Sequence, residues 1–183
     1  MATFNDMQLI KREFFALRNG IIVDSLRRAN APYRIMFGLT LPQIKEMARA
    51  TGTNAGLAER LWENRTTRES AMLAPFLFPE DYITREVAMK LIEQSPSQEI
   101  TDILCMAQLR KKDYAPELAA ALSVRSDRYP ALRLYMNLLQ TGKVNDPDTL
   151  GRIRELAEEN LETPQLRTLA SQILQEIEFL EQQ

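Results

Sequence analysis

The 183-residue sequence contains no histidine and a single cysteine, Cys105. The lack of histidine excludes Cys/His zinc sites and His-based nucleophilic triads, and one cysteine cannot form a disulfide within the chain. Any catalysis would therefore depend on carboxylates, lysine, tyrosine or the backbone. Cys105 lies in the apolar run Ile103-Leu104-Cys105-Met106, where a thiol is predicted to act as a small core side chain.

The sequence also lacks a long apolar run near its start, because polar and charged residues interrupt residues 1–15. No signal peptide or membrane-spanning segment is predicted there. We therefore expect a cytoplasmic protein with no membrane partner, and the lack of a disulfide partner for the one thiol fits a reducing compartment.

Charge is small in total but unevenly placed. The net charge is −2, yet residues 1–143 carry 20 Lys/Arg against 16 Asp/Glu, and residues 144–183 carry 3 against 9. The glutamates of the acidic end are predicted to form the solvated outer face of a terminal repeat. A mildly basic body with an acidic end is compatible with nucleic-acid binding on one face.

A six-residue motif occurs twice, seventeen positions apart and with five of six residues the same, as Thr67-Arg68-Glu69-Ser70-Ala71-Met72 and Thr84-Arg85-Glu86-Val87-Ala88-Met89. Each copy is predicted to open a helix with a threonine cap and an acid in the first turn. A looser echo relates Pro130-x-Leu132-Arg133 to Pro164-x-Leu166-Arg167, thirty-four positions on. Both offsets are typical of a protein built from paired-helix repeats.

Caps and breakers divide the chain into about ten helices within one domain, residues 1–183. Asn5, Asn54 and Ser97 are predicted N-caps, and Pro75 should kink or end its helix. No stretch alternates for long with the period of a strand. Residues 33–41 are interpreted as a loop.

Three segments carry a resemblance to a known family: Phe37–Lys45, Ala58–Asn64, and Glu69 followed by Met72-Leu73-Ala74. They resemble the DNA alkylation repair family of bacterial alkylpurine glycosylases. The resemblance implies an all-α, HEAT-like helical repeat superhelix (an α-α solenoid of the armadillo-like kind) with a concave basic groove that holds duplex DNA. It also implies that Trp62 belongs to a structural Leu-Trp pair and is core.

The family's catalytic pattern is incomplete in this chain. Family members carry a Trp-Asp pair with a second Asp about one helical turn on, and the corresponding residues 109–118 contain no tryptophan. The resemblance leaves Asp113 as the candidate catalytic residue, with Tyr114 beside it. We expect little or no glycosylase activity, and no cofactor or metal.

Cations replace the expected site and are predicted to contact phosphates. Arg110, Lys111 and Lys112 are adjacent, and further candidates in the next helix pair are Arg125, Arg128 and Arg133. A solenoid aligns equivalent positions of successive helices, so this set could neutralise several phosphates. The alternative interpretation is an ordinary solvated surface, since Asp113, Glu117 and Asp127 are interleaved.

The predicted function is duplex-DNA binding by a HEAT-like solenoid with little or no glycosylase activity. A protein-interaction scaffold is the alternative, because helical solenoids also bind peptides in such grooves. A third hypothesis is an active alkylpurine glycosylase that uses Asp113 and Tyr114.

Overall fold

The computed structural model describes residues 5–182, and about 70% of these residues are helical. Within these residues there is no β-strand, only an isolated bridge between Ile35 and Thr67. The predicted all-α class is confirmed. The eleven α-helices in the described part of the chain are α1 Asp6–Ala16, α2 Gly20–Arg28, α3 Leu41–Thr51, α4 Ala55–Glu63, α5 Arg68–Leu77, α6 Arg85–Glu93, α7 Gln98–Ala107, α8 Ala115–Ser123, α9 Tyr129–Gln140, α10 Pro147–Glu159 and α11 Arg167–Glu181.

Three helices begin at the side-chain caps that the sequence predicts. The side-chain oxygens of Asn5, Asn54 and Ser97 each accept a hydrogen bond from a backbone N–H in the first turn of α1, α4 and α7. Thr67 holds the N-cap position of α5, as predicted, but its side chain makes no capping hydrogen bond. The predicted threonine cap is therefore right in position and wrong in its hydrogen bond. The Arg68 N–H at this helix start donates instead to the Ile35 carbonyl, 3.0 Å away.

The chain divides into two compact units, with the boundary between Thr84 and Arg85. In the first unit α5 packs against α3 and α4, and α1 packs against α4. Every residue of α5 except Phe76 is buried, which is typical of a central helix. Pro75 lies inside α5, and the helix ends two residues later at Leu77. Trp62 is buried on α4, as the resemblance implied.

The second unit is organised around α9, which packs against α7, α8, α10 and α11. Ten of its twelve residues are buried. Cys105 is fully buried on α7, so the prediction that it is a core side chain is confirmed. The glutamates at the ends of α10 and α11 lie mostly at the surface, as predicted for a terminal helix pair.

A buried ion pair at the start of α5 holds the loop that precedes α3. The Glu69 carboxylate is fully buried and accepts hydrogen bonds from the N–H groups of Phe37, Gly38 and Leu39, at 3.0, 2.9 and 3.3 Å. The Arg68 guanidinium lies 3.2 Å from this carboxylate and donates to the Leu39 carbonyl at 2.9 Å. Residues 37–39 and Glu69, which carried the family resemblance, therefore have a structural role here.

Gly38 is required where this loop meets the start of α2. Its φ is +81°, and a Cβ atom there would lie 2.3 Å from the Asn19 carbonyl oxygen. The Asn19 N–H donates to the Phe37 carbonyl at 2.7 Å, and the Asn19 side chain caps α2. A chain of hydrogen bonds thus runs from Glu69 through the loop to Asn19, the N-cap residue of α2.

Candidate functional site

The predicted cation triplet lies in and just after a short 3₁₀ turn, Leu109–Lys111, between α7 and α8. Leu109 is fully buried and anchors the turn in the core. Because a 3₁₀ turn has about three residues per turn, adjacent side chains point in different directions. Lys111 is accordingly exposed, Arg110 is half-buried and Lys112 is buried. The triplet does not form a single cationic face.

A fourth cation that the sequence did not indicate comes to the same place. Lys143, in the loop between α9 and α10, donates from Nζ to the backbone carbonyls of Lys111 at 2.8 Å and Lys112 at 3.4 Å. These contacts place the ammonium beside the 3₁₀ turn, where its partners are carbonyls rather than carboxylates. We call the group formed by Arg110, Lys111 and Lys143 the basic corner.

The other three predicted phosphate contacts have partners within the second unit. Arg125 on the α8–α9 connection pairs with Glu93 at 2.5 Å, and both side chains are about half exposed. The Arg128 guanidinium donates to the Ser123 carbonyl. Arg133 pairs with Asp102 on α7. These arginines can reach a phosphate only in competition with the partners they already have.

The partner of Arg133 belongs to a cluster that the sequence did not reveal. Oδ1 of Asp102 lies 2.7 Å from Nε of Arg133, so the two side chains form an ion pair. The Nε–H group nevertheless makes no hydrogen bond. The same oxygen accepts a hydrogen bond from the Tyr129 hydroxyl at 2.7 Å. Asp102 precedes its partners by 27 and 31 residues. No local spacing in the sequence could have joined them.

Burial governs the protonation of this cluster. It raises the pKa of Asp102, and the hydrogen bond from Tyr129 and the charge of Arg133 only partly oppose it. Burial likewise raises the pKa of Tyr129 to about 12, so the phenol stays protonated at neutral pH. The cluster links α7 to α9, and the Asp102 charge reduces what Arg133 can offer to an external anion.

Asp113, the candidate catalytic residue, is exposed in the turn before α8. Stabilising positive charge on a sugar needs a carboxylate in a site from which water is excluded, because water screens the interaction. Asp113 is exposed to water, and Lys111 and Lys112 directly precede it in the sequence. Tyr114 is half-buried, and burial together with the charge of Glu86 raises its pKa to about 12.

Two negative observations apply to residues 5–182. None of their helices has the length and apolar character needed to span a membrane. No group of three or more His, Cys, Asp or Glu side chains in this part of the chain is arranged to hold a metal ion.

The fold is similar to that of a solved protein described as belonging to a new family of proteins related to the HEAT-like repeat DNA glycosylases with affinity for branched DNA structures. The TM-score is 0.82 over 94% of this chain and 76% of the other, with 14% sequence identity. No protein-family model and no curated protein matches the sequence. The predicted HEAT-like repeat fold is therefore confirmed, and at this identity the likeness shows the fold alone.

Proposed function

We propose that this protein binds DNA through contacts to the phosphate backbone and has little or no glycosylase activity. The observation that carries the proposal is the basic corner, where the Lys143 ammonium lies against the backbone of Lys111 and Lys112 and donates to carbonyls rather than to carboxylates. The fold adds support, because a protein of similar fold is described as having affinity for branched DNA.

The basic corner differs from the paired arginines in the contacts that a bound phosphate would have to displace. A phosphate that approaches Arg125 must compete with the Glu93 carboxylate, whereas Lys111 is exposed and has no recorded carboxylate partner among the described residues. Neutralising a phosphate releases condensed counterions, which favours binding at low salt. The exposed Lys111 should therefore contribute most clearly to affinity.

The proposal includes the loss of catalysis. The stretch that matches the family's site lacks tryptophan, and its Asp113 is exposed beside cations that would repel a cationic alkylated nucleotide. The carboxylate of Asp102 is already paired with Arg133. Neither acid has the surroundings that base excision requires.

A salt titration tests DNA binding. The wild type should bind a labelled duplex and a three-way DNA junction at low salt, with affinity that falls steeply as salt rises. Lys111→Ala should reduce the slope of log K against log salt by about one, as expected for one lost phosphate contact. The matched control is Arg49→Ala on α3, which removes an exposed cation already paired with Glu46 at 2.8 Å.

The control should leave the slope unchanged. A wild type that binds neither DNA at low salt would refute the proposal. An unchanged slope in Lys111→Ala, with binding intact, would place the phosphate contacts elsewhere on the protein.

A groove in the first unit favours the second candidate, a protein-interaction scaffold. The groove has a volume of about 720 Å³ and lies between α1 and the residues that connect α3 to α4, with Leu9, Ala16 and Leu57 among its lining. The lining also includes Asp6, Arg12 and Glu13, and a mixed apolar and charged groove suits an amphipathic helix of a partner. If the protein binds no DNA, the protein-interaction scaffold becomes the better hypothesis. Substitutions of the residues that line this groove would then test whether it binds a partner protein.

A further inference from the structure

The first unit contains a basic segment that the phosphate predictions did not use. Residues 14–45 carry five cations and one acid, whereas the rest of residues 1–84 has an excess of acids. The five cations are Arg18, Arg27, Arg28, Arg34 and Lys45, and the acid is Asp24. All are exposed except Lys45, which is half-buried. A local excess of this size favours a polyanionic partner.

The same segment exposes large apolar side chains. Phe15 at the end of α1 is 59% exposed, and Ile21 at the start of α2 is 81% exposed. The Arg18 guanidinium carbon lies 4.0 Å from the centre of the Phe15 ring. Arginine stacked on an exposed aromatic ring combines an apolar surface with a positive charge.

Phe15 and Arg18 border a cleft of about 330 Å³ between α1, α2 and the loop before α3. We call it the aromatic cleft. Its lining includes Phe15, Arg18, Asp24, Arg27, Met36 and Phe37. Asp24 lies 3.7 Å from Arg27, and both side chains remain about 70% exposed, so this pair is weak and open to competition.

The loop side of the cleft is firmly held. The Glu69 carboxylate binds the N–H groups of Phe37, Gly38 and Leu39, and the Phe37 carbonyl accepts the Asn19 N–H. A buried charged group with several hydrogen bonds fixes backbone position more firmly than surface contacts do. The cleft therefore has a fixed wall at Phe37 and an exposed wall at Phe15.

We propose that the aromatic cleft binds an unpaired nucleobase of single-stranded or branched DNA, and this inference rests on the DNA binding proposed above. Bases in an intact duplex keep their faces stacked, so only an unpaired base can offer a face to the Phe15 ring or to the Arg18 guanidinium that covers one side of it. The apolar lining accepts that face, Arg18 and Arg27 neutralise the adjoining phosphates, and Asp24 can accept a hydrogen bond from an exocyclic amine.

The positive charge and the concave shape of the cleft distinguish an unpaired nucleotide from the other partners that an exposed apolar patch can bind. A neutral peptide would gain nothing from Arg18 and Arg27, the two cations that line the cleft. An anionic membrane would, but it would contact a convex apolar helix face, whereas here the aromatic and guanidinium groups border a concave cleft of roughly the size of one nucleotide. An unpaired nucleotide satisfies both the charge and the shape.

The test uses forked DNA with 2-aminopurine in the unpaired tail, because its fluorescence falls when the base stacks. The full chain should quench the fluorescence and bind the fork more tightly than a duplex of equal length. Phe15→Ala should abolish the quenching and weaken fork binding about tenfold, the effect expected from one lost base stack, with duplex affinity unchanged. Phe15→Trp should preserve both.

The matched control is Leu9→Ala, since Leu9 is also on α1 and 49% exposed but borders the other groove. It should leave quenching and fork affinity unchanged. Equal affinity of the wild type for fork and duplex, or quenching that survives Phe15→Ala, would refute the inference while the proposed phosphate binding stands.

Absence of binding to either DNA would refute both proposals together. Binding to phosphatidylserine vesicles without binding to the fork would refute the inference in favour of a membrane surface.

Discussion

The two copies of the repeated hexapeptide start two helices in opposite surroundings. In the first copy Arg68 and Glu69 are buried at the start of α5, where they hold residues 37–39. In the second copy Arg85 and Glu86 are exposed at the start of α6. The offset of seventeen is half of the thirty-four-residue echo, so the copies start successive helices rather than equivalent ones. Nearly identical local sequence thus predicts where a helix begins but not which of its faces is buried.

The largest expected effect tests this difference directly. Glu69→Gln removes the charge that compensates the buried Arg68, and breaking a buried pair in this way should lower the free energy of unfolding by about 3 kcal/mol or more. The matched change in the second copy, Glu86→Gln, should alter it by less than about 0.5 kcal/mol. Urea unfolding of both variants measures the two values, and equal losses would show that burial of the first copy has little energetic importance.

A smaller loss of stability is expected at Gly38, whose N–H donates a hydrogen bond to Glu69. Gly38→Ala combines a left-handed φ with a Cβ contact of 2.3 Å to backbone, so we expect a loss of about 2 kcal/mol or more. Gly52→Ala has a similar φ of +73° but open space around the new Cβ, and should cost about 1 kcal/mol. Thermal unfolding should rank them in this order, and the reverse order would mean that the loop can move away from Asn19.

The third effect concerns the half-buried Asp102–Arg133 pair of the second unit, the counterpart of the buried Arg68–Glu69 pair of the first unit. The pKa of Asp102 is raised on folding, so the folded state binds its proton more tightly than the unfolded state does. The contribution of Asp102 to stability should therefore increase as pH falls from 7 towards 4. Unfolding free energies of wild type and Asp102→Asn, measured at both pH values, should show the wild type gaining relative to the variant at pH 4. A relative loss would contradict the direction of the shift.

The smallest expected effect is on base excision. We expect no release of 3-methyladenine or 7-methylguanine from alkylated duplex above the uncatalysed rate, and Asp113→Asn should change nothing. Chromatography of released bases provides the measurement. Excision that disappears in Asp113→Asn, with fold and DNA affinity intact, would instead show that this exposed carboxylate is catalytic.

The sequence predicted the features that depend on near neighbours. Helix starts at Asn5, Asn54 and Ser97 follow from hydrogen bonds that span three residues, and these were correct. The contacts of the candidate site span much larger separations. Lys143 reaches the carbonyl of Lys111 across 32 residues, and no periodic pattern marks it.

The same distinction explains the cation triplet. Adjacent Arg110, Lys111 and Lys112 appear as one patch in the sequence, but a 3₁₀ turn anchored by the buried Leu109 separates their directions. The single-domain prediction for residues 1–183, and the assignment of the six cations and Asp113 to DNA contact or catalysis, stay predictions.

The burial of Cys105 makes the chain's one thiol an intrinsic reporter. Its side chain is fully enclosed and burial raises its pKa, so a thiol reagent meets neither an accessible sulfur nor a thiolate in the folded protein. Because the sequence has no other cysteine, each labelled molecule must have opened around α7. The labelling rate of the unmodified protein would therefore measure how often the second unit opens, with no signal from the first.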